Sequence, residues 1–502
     1  MAIETELKLR LPPGAVPRLL THPLLAATPP RRQRLQNTYY DTPELDLLAR
    51  PMALRHRRRG QEWLLTVKGA TPAVGGLARR QEWEAPVPPG RFDFAHVDNE
   101  PLRHWLESLA PRLEPAFTTD FTRLAWIVEP APGSRIEVAL DRGRIESRGH
   151  REALAEVELE LLSGPETALF ALARQLDGLL GERQALHPLA ASKAERGYAL
   201  FTGHLGAPTK SRLHPLSGKL TPVDAFRQAA LDCLQVLQAN EAGIMGGADP
   251  EYLHQARVAV RRLRCLFKLF ATSLPADFLD QWVPAWRQLS RDLGQVRDWD
   301  VLLSETLPPL LTVFPGLLEL ERLQKRIAAS RESGHRQLVR RLKAPAYSRQ
   351  LLDFATDLFA LEGNASVSLA DYAPRRLHRR QGKALRLARA LADQHADPHQ
   401  AHQLRIACKK LRYALDWLPT EAGGKRQVRQ RQALVRLLEH LGRLNDLARA
   451  KDLLAPLQPQ KPGLVQAWIE GRQELLLGDL APRLAALVAH RPRRNKTAKR
   501  DA

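Results

Sequence analysis

The sequence predicts an α+β chain of more than one domain, on three observations. Period-2 alternation dominates residues 1–200, helical periodicity dominates from about residue 222 onward, and charge divides the chain at the same place. The 502 residues carry 76 Lys and Arg against 55 Asp and Glu, a formal net charge of +21. Residues 1–200 hold 27 basic and 26 acidic residues, which leaves 49 and 29 for the remainder, so the excess is a property of the second part. Such an excess points to a polyanionic partner: nucleic acid, a membrane surface or a phosphate polymer. The length corresponds to about two or three compact units. A hydrophobic content of 44% and a charged content of 26% exclude wholesale disorder and a fibrous architecture. No apolar run approaches the ~18 residues that cross a bilayer, and acidic Glu4 and Glu6 stand where a secretion signal needs an apolar stretch. A cytoplasmic protein with no membrane partner is expected. Cys233, Cys265 and Cys408 are too few and too scattered for a disulfide framework and read as small buried hydrophobes.

In the opening strand Glu4, Glu6 and Lys8 share one face, and Ile3, Leu7 and Leu9 the other. Turns follow at Leu11-Pro12-Pro13-Gly14 and across 70–76. The same alternation of charge returns at Arg55, Arg57 and Arg59, at Thr66 and Lys68, at Arg80, Glu82 and Glu84, and at Glu137 and Asp141. It returns once more at Glu156, Glu158 and Glu160, where Val157, Leu159 and Leu161 form the apolar side. One such strand reads as a sheet with a wet face. Six sharing the habit favour a closed barrel, charged faces inward and apolar faces covered outside by helices such as 165–180. Charges inside a barrel must neutralise one another or be neutralised by a ligand. Carboxylates that hold a hard divalent cation, beside Arg and Lys that clamp anionic oxygens, suit metal-assisted phosphoryl transfer. No Gly-x-x-x-x-Gly-Lys-[Ser/Thr] loop or Gly-x-Gly-x-x-Gly fingerprint is present, which argues against P-loop and Rossmann enzymes.

Glu4-x-Glu6-x-Lys8, Tyr40-Asp41-Thr42, Leu54-Arg55-His56-Arg57, Thr66-Val67-Lys68-Gly69, Arg80-x-Glu82-x-Glu84, Glu137-x-x-x-Asp141, Glu156-x-Glu158-x-Glu160 and Ser192-Lys193 together resemble the CYTH family of triphosphate tunnel metalloenzymes over about residues 1–200. The resemblance implies an eight-stranded antiparallel tunnel barrel that binds a triphosphate with Mg²⁺ or Mn²⁺ and hydrolyses its terminal phosphate. It implies Glu4, Glu6, Asp141, Glu156 and Glu158 on the metal side, and Lys8, Arg55, Arg57, Lys68, Arg80, Arg123 and Lys193 on phosphate. Glu4, Glu6 and Lys8 are the residues expected at the chemistry, with Lys8 either clamping phosphate, the favoured role, or helping to activate water. Glu82 and Glu84 would bind a second metal or pair with arginines. Glu160 would fall at the barrel mouth. His56 faces away from Arg55 and Arg57 and reads as a packed histidine.

Residues 201–222 mix Gly, Pro, Ser and Lys and break both periodicities, which places a linker at 201–218. A helical domain over 219–490 follows, broken at Gly246-Gly247, Pro308-Pro309, Gly363-Asn364 and Gly423-Gly424, and then a basic tail at 491–502. An internal repeat organises the helices. His254-x-x-Arg257-x-x-x-Arg261-x-x-Arg264 returns 148 residues later as His402-x-x-Arg405-x-x-x-Lys409-x-x-Arg412, and Leu293-Gly294-x-x-Arg297-Asp298 as Leu441-Gly442-x-x-Asn445-Asp446. At ~100° per residue each first motif fills a stripe of ~80° on one helix face. Two copies in matching register favour an anion-binding surface over a merely solvated basic face. The histidines would donate to the same anion or pair with Asp298 and Asp446.

These paired segments resemble the CHAD domain, a helical domain named for its histidines. The resemblance implies two pseudo-symmetric four-helix bundles and a basic surface that binds inorganic polyphosphate through His254, Arg257, Arg261, Arg264, His402, Arg405, Lys409 and Arg412. Lys268 is matched by Asp416 and Arg297 by Asn445, so the halves are not equivalent. No recognition helix, zinc finger or aromatic stacking pattern supports sequence-specific nucleic-acid binding. The reading is therefore an inorganic triphosphatase tethered to a polyphosphate-binding domain, in the cytoplasm or on polyphosphate granules. Its rivals are a hydrolase of an organic triphosphate such as thiamine triphosphate, a nucleotide cyclase, and a non-catalytic polyphosphate-binding granule protein.

Overall fold

The computed structural model describes residues 2–69, 73–211, 215–247, 249–363, 366–392, 397–419, 425–457 and 463–489. Turn residues 70–72, linker residues 212–214, the break residues Asn364, Gly423 and Gly424, and the tail 491–502 lie outside them.

Eight antiparallel strands close on themselves: β1 (Ala2–Arg10), β2 (Arg31–Asp41), β3 (Met52–Arg59), β4 (Glu62–Gly69), β5 (Leu77–Pro86), β6 (Glu114–Ala131), β7 (Ser134–Ser147) and β8 (His150–Ser163). Their order is β5-β4-β3-β2-β6-β7-β8-β1, and β1 pairs back onto β5. A two-residue strand, β9 (His187–Pro188), adds to the end of β1. Register sets the lumen. Glu4 stands opposite Arg80, Glu6 opposite Glu160, Lys8 opposite Glu158, Lys68 opposite Glu82 and Arg123 opposite Asp141.

Helices of nine or more residues are α1 (Glu100–Leu109), α2 (Thr167–Gly178), α3 (Lys193–Thr202), α4 (Pro222–Gly246), α5 (Pro250–Phe270), α6 (Ala276–Val301), α7 (Leu318–Lys343), α8 (Pro345–Ala360), α9 (Leu369–Ala392), α10 (Pro398–Trp417), α11 (Lys425–Leu454), α12 (Leu464–Gly478) and α13 (Ala481–Ala489). Two compact units contain them. The first takes Met1–Lys210 with Leu231–Ala256 and Val339–Leu361; the second takes Ser211–Ala230, Arg257–Leu338 and Glu362–Ala502.

In the first unit the apolar strand faces point outward, because the charged faces fill the lumen. Leu7, Leu9, Ile136, Val138, Leu140, Val157 and Leu159 pack under Leu169, Phe170, Leu172, Ala173 and Leu176 of α2, which covers them as the alternation required. Each such fully buried side chain contributes about 1.5–3 kcal/mol. Leu54, Leu65, Val67 and Trp83 pack in the same way against Leu106 and Leu109 of α1. Segments late in the chain belong to this unit. Phe359 of α8 stacks on Phe170 at 4.7 Å, and Arg349 donates to Asp177 at 2.9 Å. Gln238 of α4 accepts from the Gly75 amide at 2.9 Å and donates to Pro188 O at 3.0 Å.

In the second unit α9, α10, α11 and α13 enclose one core built from Leu385, Leu391, Leu404, Leu411, Leu437, Leu441, Leu484 and Leu487. The repeat is visible in the helix starts: α5 begins at Pro250 and α10 at Pro398, the offset of the sequence repeat. Among the described residues no helix is long and apolar enough to cross a membrane, and Cys233, Cys265 and Cys408 are free thiols.

Candidate active site

The barrel lumen opens into a cavity of about 1390 Å³ lined by inward charges from every charged strand. Its cations and carboxylates are paired. Lys8 Nζ lies 3.0 Å from Glu6 and 3.3 Å from Glu158, Arg80 lies 2.6 Å from Glu6, and Lys68 lies 3.2 Å from Glu4 and 2.6 Å from Glu82. Arg123 makes a bidentate pair with Asp141 at 2.8 and 2.7 Å and also contacts Glu158. Burial pulls the Lys8 ammonium down, but Glu6 and Glu158 outweigh it and hold the group above its ordinary value.

Asp141, Glu156 and Glu158 bring carboxylate oxygens within 4.8 Å of one another, the spacing of a metal-ligating set. Lys193 already stands among them, 2.8 Å from Asp141 and 2.9 Å from Glu158 and in contact with Glu156. Burial disfavours its ammonium, yet the three carboxylates raise it well above the lysine range. Lys193 opens α3, whose N-terminus is fixed by a reciprocal pair: Ser192 accepts from the Glu195 amide and Glu195 accepts from the Ser192 amide. The helix sits close to the barrel because Gly197 faces Phe117; a Cβ there would lie 2.1 Å from the ring. Gly197→Leu is therefore expected to lower stability by about 1–3 kcal/mol and to carry Lys193 off its carboxylates, a loss that chemical denaturation will read. Asp41, part of the Tyr40-Asp41-Thr42 motif, anchors the other end: it accepts from the amides of Leu47 and Leu48 and from Tyr198 Oη of α3 at 2.8 Å.

Two arginines are less well served. Arg55 and Arg57 come only to 3.8 Å of Glu82 and Glu84, and Nε and Nη2 of Arg55 are buried without a hydrogen-bond partner. Burial and then the charge of Arg55 push the Arg57 guanidinium down to about 10. Buried donors left open in this way call for a partner, and an anionic ligand would supply one. Glu82 and Glu84 serve as counter-charges, with Glu84 also accepting from Thr66 at 2.7 Å. Burial works against Glu82, yet Lys68 and Arg55 draw its carboxyl down to about 2.

Glu160, expected at the mouth, lines the cavity across from Glu6. Burial first, then Glu4 and Glu137, push its carboxyl up to about 7. Lys68 only partly offsets this crowding, and crowded carboxylates are the donor set a hard divalent ion fits. Sequence reasoning also passed over Tyr39 and Asn37, which receive hydrogen bonds from Arg55 at 3.3 Å and Arg57 at 3.0 Å. Both lie on the inward face of β2, where neutral residues gave no charge pattern to follow. His56 is packed as expected, buried against Tyr40 and Phe92 with Nε2 3.0 Å from Arg91 O.

In the second unit Arg257 and Arg261 of α5 converge with Arg405 and Lys409 of α10. Burial, then Arg261, Arg405 and Arg257, push the Lys409 ammonium down to about 6, and Asp446 opposes them. Arg257 lies 3.6 Å from Asp298, Arg261 donates to Tyr413 Oη at 2.8 Å, and Arg405 donates to Asn445 at 2.7 Å. Asp298 thus pairs with an arginine. Arg264 turns instead to Ser290 at 2.9 Å, and Arg412 lies beside Asp416. His402 is exposed beside Arg405, and burial followed by that arginine lowers its pKa. His254 lies on α5 in the stretch assigned to the first unit.

A family model for the CYTH domain matches residues 2–198, and one for the CHAD domain matches residues 228–455. The chain carries a CYTH domain followed by a CHAD domain. An inorganic triphosphatase of Haemophilus influenzae is 37% identical over 174 residues, 33% of this chain and 46% of that protein. The match thus spans about half the length of that relative. An uncharacterised protein of Mycobacterium tuberculosis is 27% identical over 415 residues, 76% of this chain and 75% of its own. The crystal structure of the CHAD domain from the plant Ricinus communis is 33% identical, with a TM-score of 0.46 over 57% of this chain and 96% of that one. The CYTH match takes in every lumen charge described above. The CHAD match begins within α4, so the part of α4 that joins the barrel belongs to it.

Proposed function

We propose that the CYTH barrel hydrolyses inorganic triphosphate with Mg²⁺ or Mn²⁺, and that the CHAD domain binds inorganic polyphosphate. The observation that carries the first part is the pair Arg55 and Arg57 in an otherwise neutralised tunnel: both are only loosely paired with carboxylates, and the buried Arg55 has two open donors. Arginine forks of this kind match phosphate oxygens. Lys8, Lys68, Arg80 and Arg123 would exchange a carboxylate for a phosphate at little electrostatic cost, since the charge they face is already negative. Lys8 keeps its proton at neutral pH, which supports a clamp rather than a base.

The metal side is Glu4, Glu6 and Glu158, joined by Glu160. Asp141 and Glu156 also lie on that side, where they hold Lys193. A divalent ion held there would offset the charge of the terminal phosphoryl oxygens. Water adds to the terminal phosphorus, the bond to the bridging oxygen breaks, and orthophosphate and diphosphate leave. The Haemophilus relative is an inorganic triphosphatase, which supports this substrate.

Phosphate release from tripolyphosphate with added Mg²⁺ or Mn²⁺ tests the reading, with thiamine triphosphate and ATP alongside. Wild type is expected to be metal-dependent and selective for tripolyphosphate, and Glu4→Gln to lower kcat by ~100-fold or more while the fold is kept. No turnover of tripolyphosphate by folded wild type would sink the assignment. For the CHAD domain the supporting observation is the convergence of Arg257, Arg261, Arg405 and Lys409 with few counter-charges. A polymer held there would supply the barrel with chain ends at raised local concentration.

A further inference from the structure

The inward row of β1 does not stop at Lys8. Arg10 follows it, about 7 Å further along the strand, and lines the same cavity. Among the described residues no carboxylate or other acceptor lies within bonding distance of its guanidinium. Arg10 is exposed, yet burial, opposed by Glu241 and helped by Arg196, draws its pKa below the usual arginine range. That combination describes a solvent-accessible cation on the wall of the cavity with no bonded counter-charge.

The two acidic groups near it are already occupied. Glu241 of α4 is held by His187 Nε2 at 3.0 Å and by Tyr347 Oη, and His187 is held in turn by Ser348 at 3.0 Å. Glu152 is held by Arg196 at 2.7 Å. The walls around Arg10 come from a different part of the chain: Gln235, Gln238, Ala239, Ala242 and Met245 of α4 and Tyr252 of α5 line the cavity. Gln238 is tied to Gly75 and Pro188, and Tyr252 Oη to Gly206 O at 2.6 Å, so this wall is braced against the barrel. The cavity exceeds the ~300–1,000 Å³ that holds a drug-sized ligand, far more than three phosphoryl groups occupy.

We propose that Arg10 and the chamber walled by α4 and α5 form an additional phosphate subsite, which admits the further phosphoryl group of a linear chain longer than three, and that the CHAD-matched helix α4 thereby sets the chain length the tunnel accepts. The inference rests on the triphosphatase reading of the barrel. Lys8 and the arginines beyond it hold three groups, and Arg10 takes the next.

Two variants test it from different sides. Arg10→Ala removes the cation. Ala239→Trp, at a residue with its surface open to the cavity, fills the chamber and leaves Arg10 in place. Each is scored by the ratio of kcat/KM for tetrapolyphosphate to that for tripolyphosphate, so an overall loss of activity cancels. The ratio is expected to fall about tenfold or more in both, the size of a lost charge-assisted contact. An unchanged ratio in both variants, or failure of wild type to turn over tetrapolyphosphate while it cleaves tripolyphosphate, overturns the subsite. If neither compound is cleaved, the hydrolase reading fails separately. The affinity ratio of the two chains by titration calorimetry then decides: a fall in both variants upholds the subsite, and no change overturns it.

Discussion

Lys193→Met is expected to lower the unfolding free energy by about 3–5 kcal/mol, the cost of leaving buried charges without their partner. One ammonium serves Asp141, Glu156 and Glu158, and its side chain is only 7% exposed. Methionine keeps most of the volume, so the loss measures charge rather than a cavity. Arg123 still neutralises Asp141 and Glu158, and Arg196 still holds Glu156 at 3.0 Å, which caps the loss and lets the fold survive. Chemical denaturation followed by circular dichroism gives the number. Asp141→Asn on the Lys193→Met background should recover part of it, with a coupling of about 1 kcal/mol or more in a double-mutant cycle. A loss below about 1 kcal/mol, with no coupling, would mean that Arg123 and Arg196 neutralise the cluster and that Lys193 is not its hub.

The faces of the strands were legible in the sequence, and the depths were not. A period of two tells which side Glu4, Glu6 and Lys8 share. It does not say that Glu6 stands opposite Glu160, because that register joins strands 154 positions apart and is fixed by the closure of the sheet. Glu160 looked like a rim residue because it is the last charge of its alternating run; it is half-buried and lines the cavity, where Glu4 and Glu137 act on it. Neutral lumen residues such as Asn37 and Tyr39 carry no alternation of charge and so gave no signal. The helical stripe behaved in the same way. Its four positions share a face of α5, but helix ends point different ways across a bundle, so Arg257 and Arg261 meet α10 while Arg264 meets Ser290. Least legible was the membership of residues 231–246 of α4 in the first unit. A helix carries its apolar stripe whatever it packs on, and Gln238 and Glu241 declare their partners only through contacts with Gly75, Pro188 and His187.

Polyphosphate binding is expected to tighten as pH falls from about 8 to about 6.5, by at most ~10-fold per pH unit, and Lys409→Met to flatten that dependence. In the free protein burial and then Arg261, Arg405 and Arg257 push the Lys409 ammonium down to about 6, with Asp446 the nearby charge that opposes them. Lys409 is therefore neutral through most of this range. A polyanion laid on the same cations restores the charged form, and binding takes up a proton wherever the pH lies between the free and the bound values. The sign for folding is opposite. Unfolded lysine keeps its proton up to about 10.4, so between about 6 and that value the unfolded chain binds more protons and stability rises with pH. Below about 6 the repulsion acts in full. Lys409→Met should thus raise the melting temperature of the free protein near pH 6 and weaken polyphosphate binding there. Burial and then Arg405 lower the His402 pKa as well, so Lys409→Met is expected to reduce the proton uptake rather than abolish it. Calorimetric titration of long-chain polyphosphate in buffers of different ionisation enthalpy measures the proton uptake directly. Equal uptake in wild type and Lys409→Met would remove Lys409 from the binding surface, whereas a gain in stability paired with a loss of affinity from one substitution is what a cation held ready for a polyanion predicts.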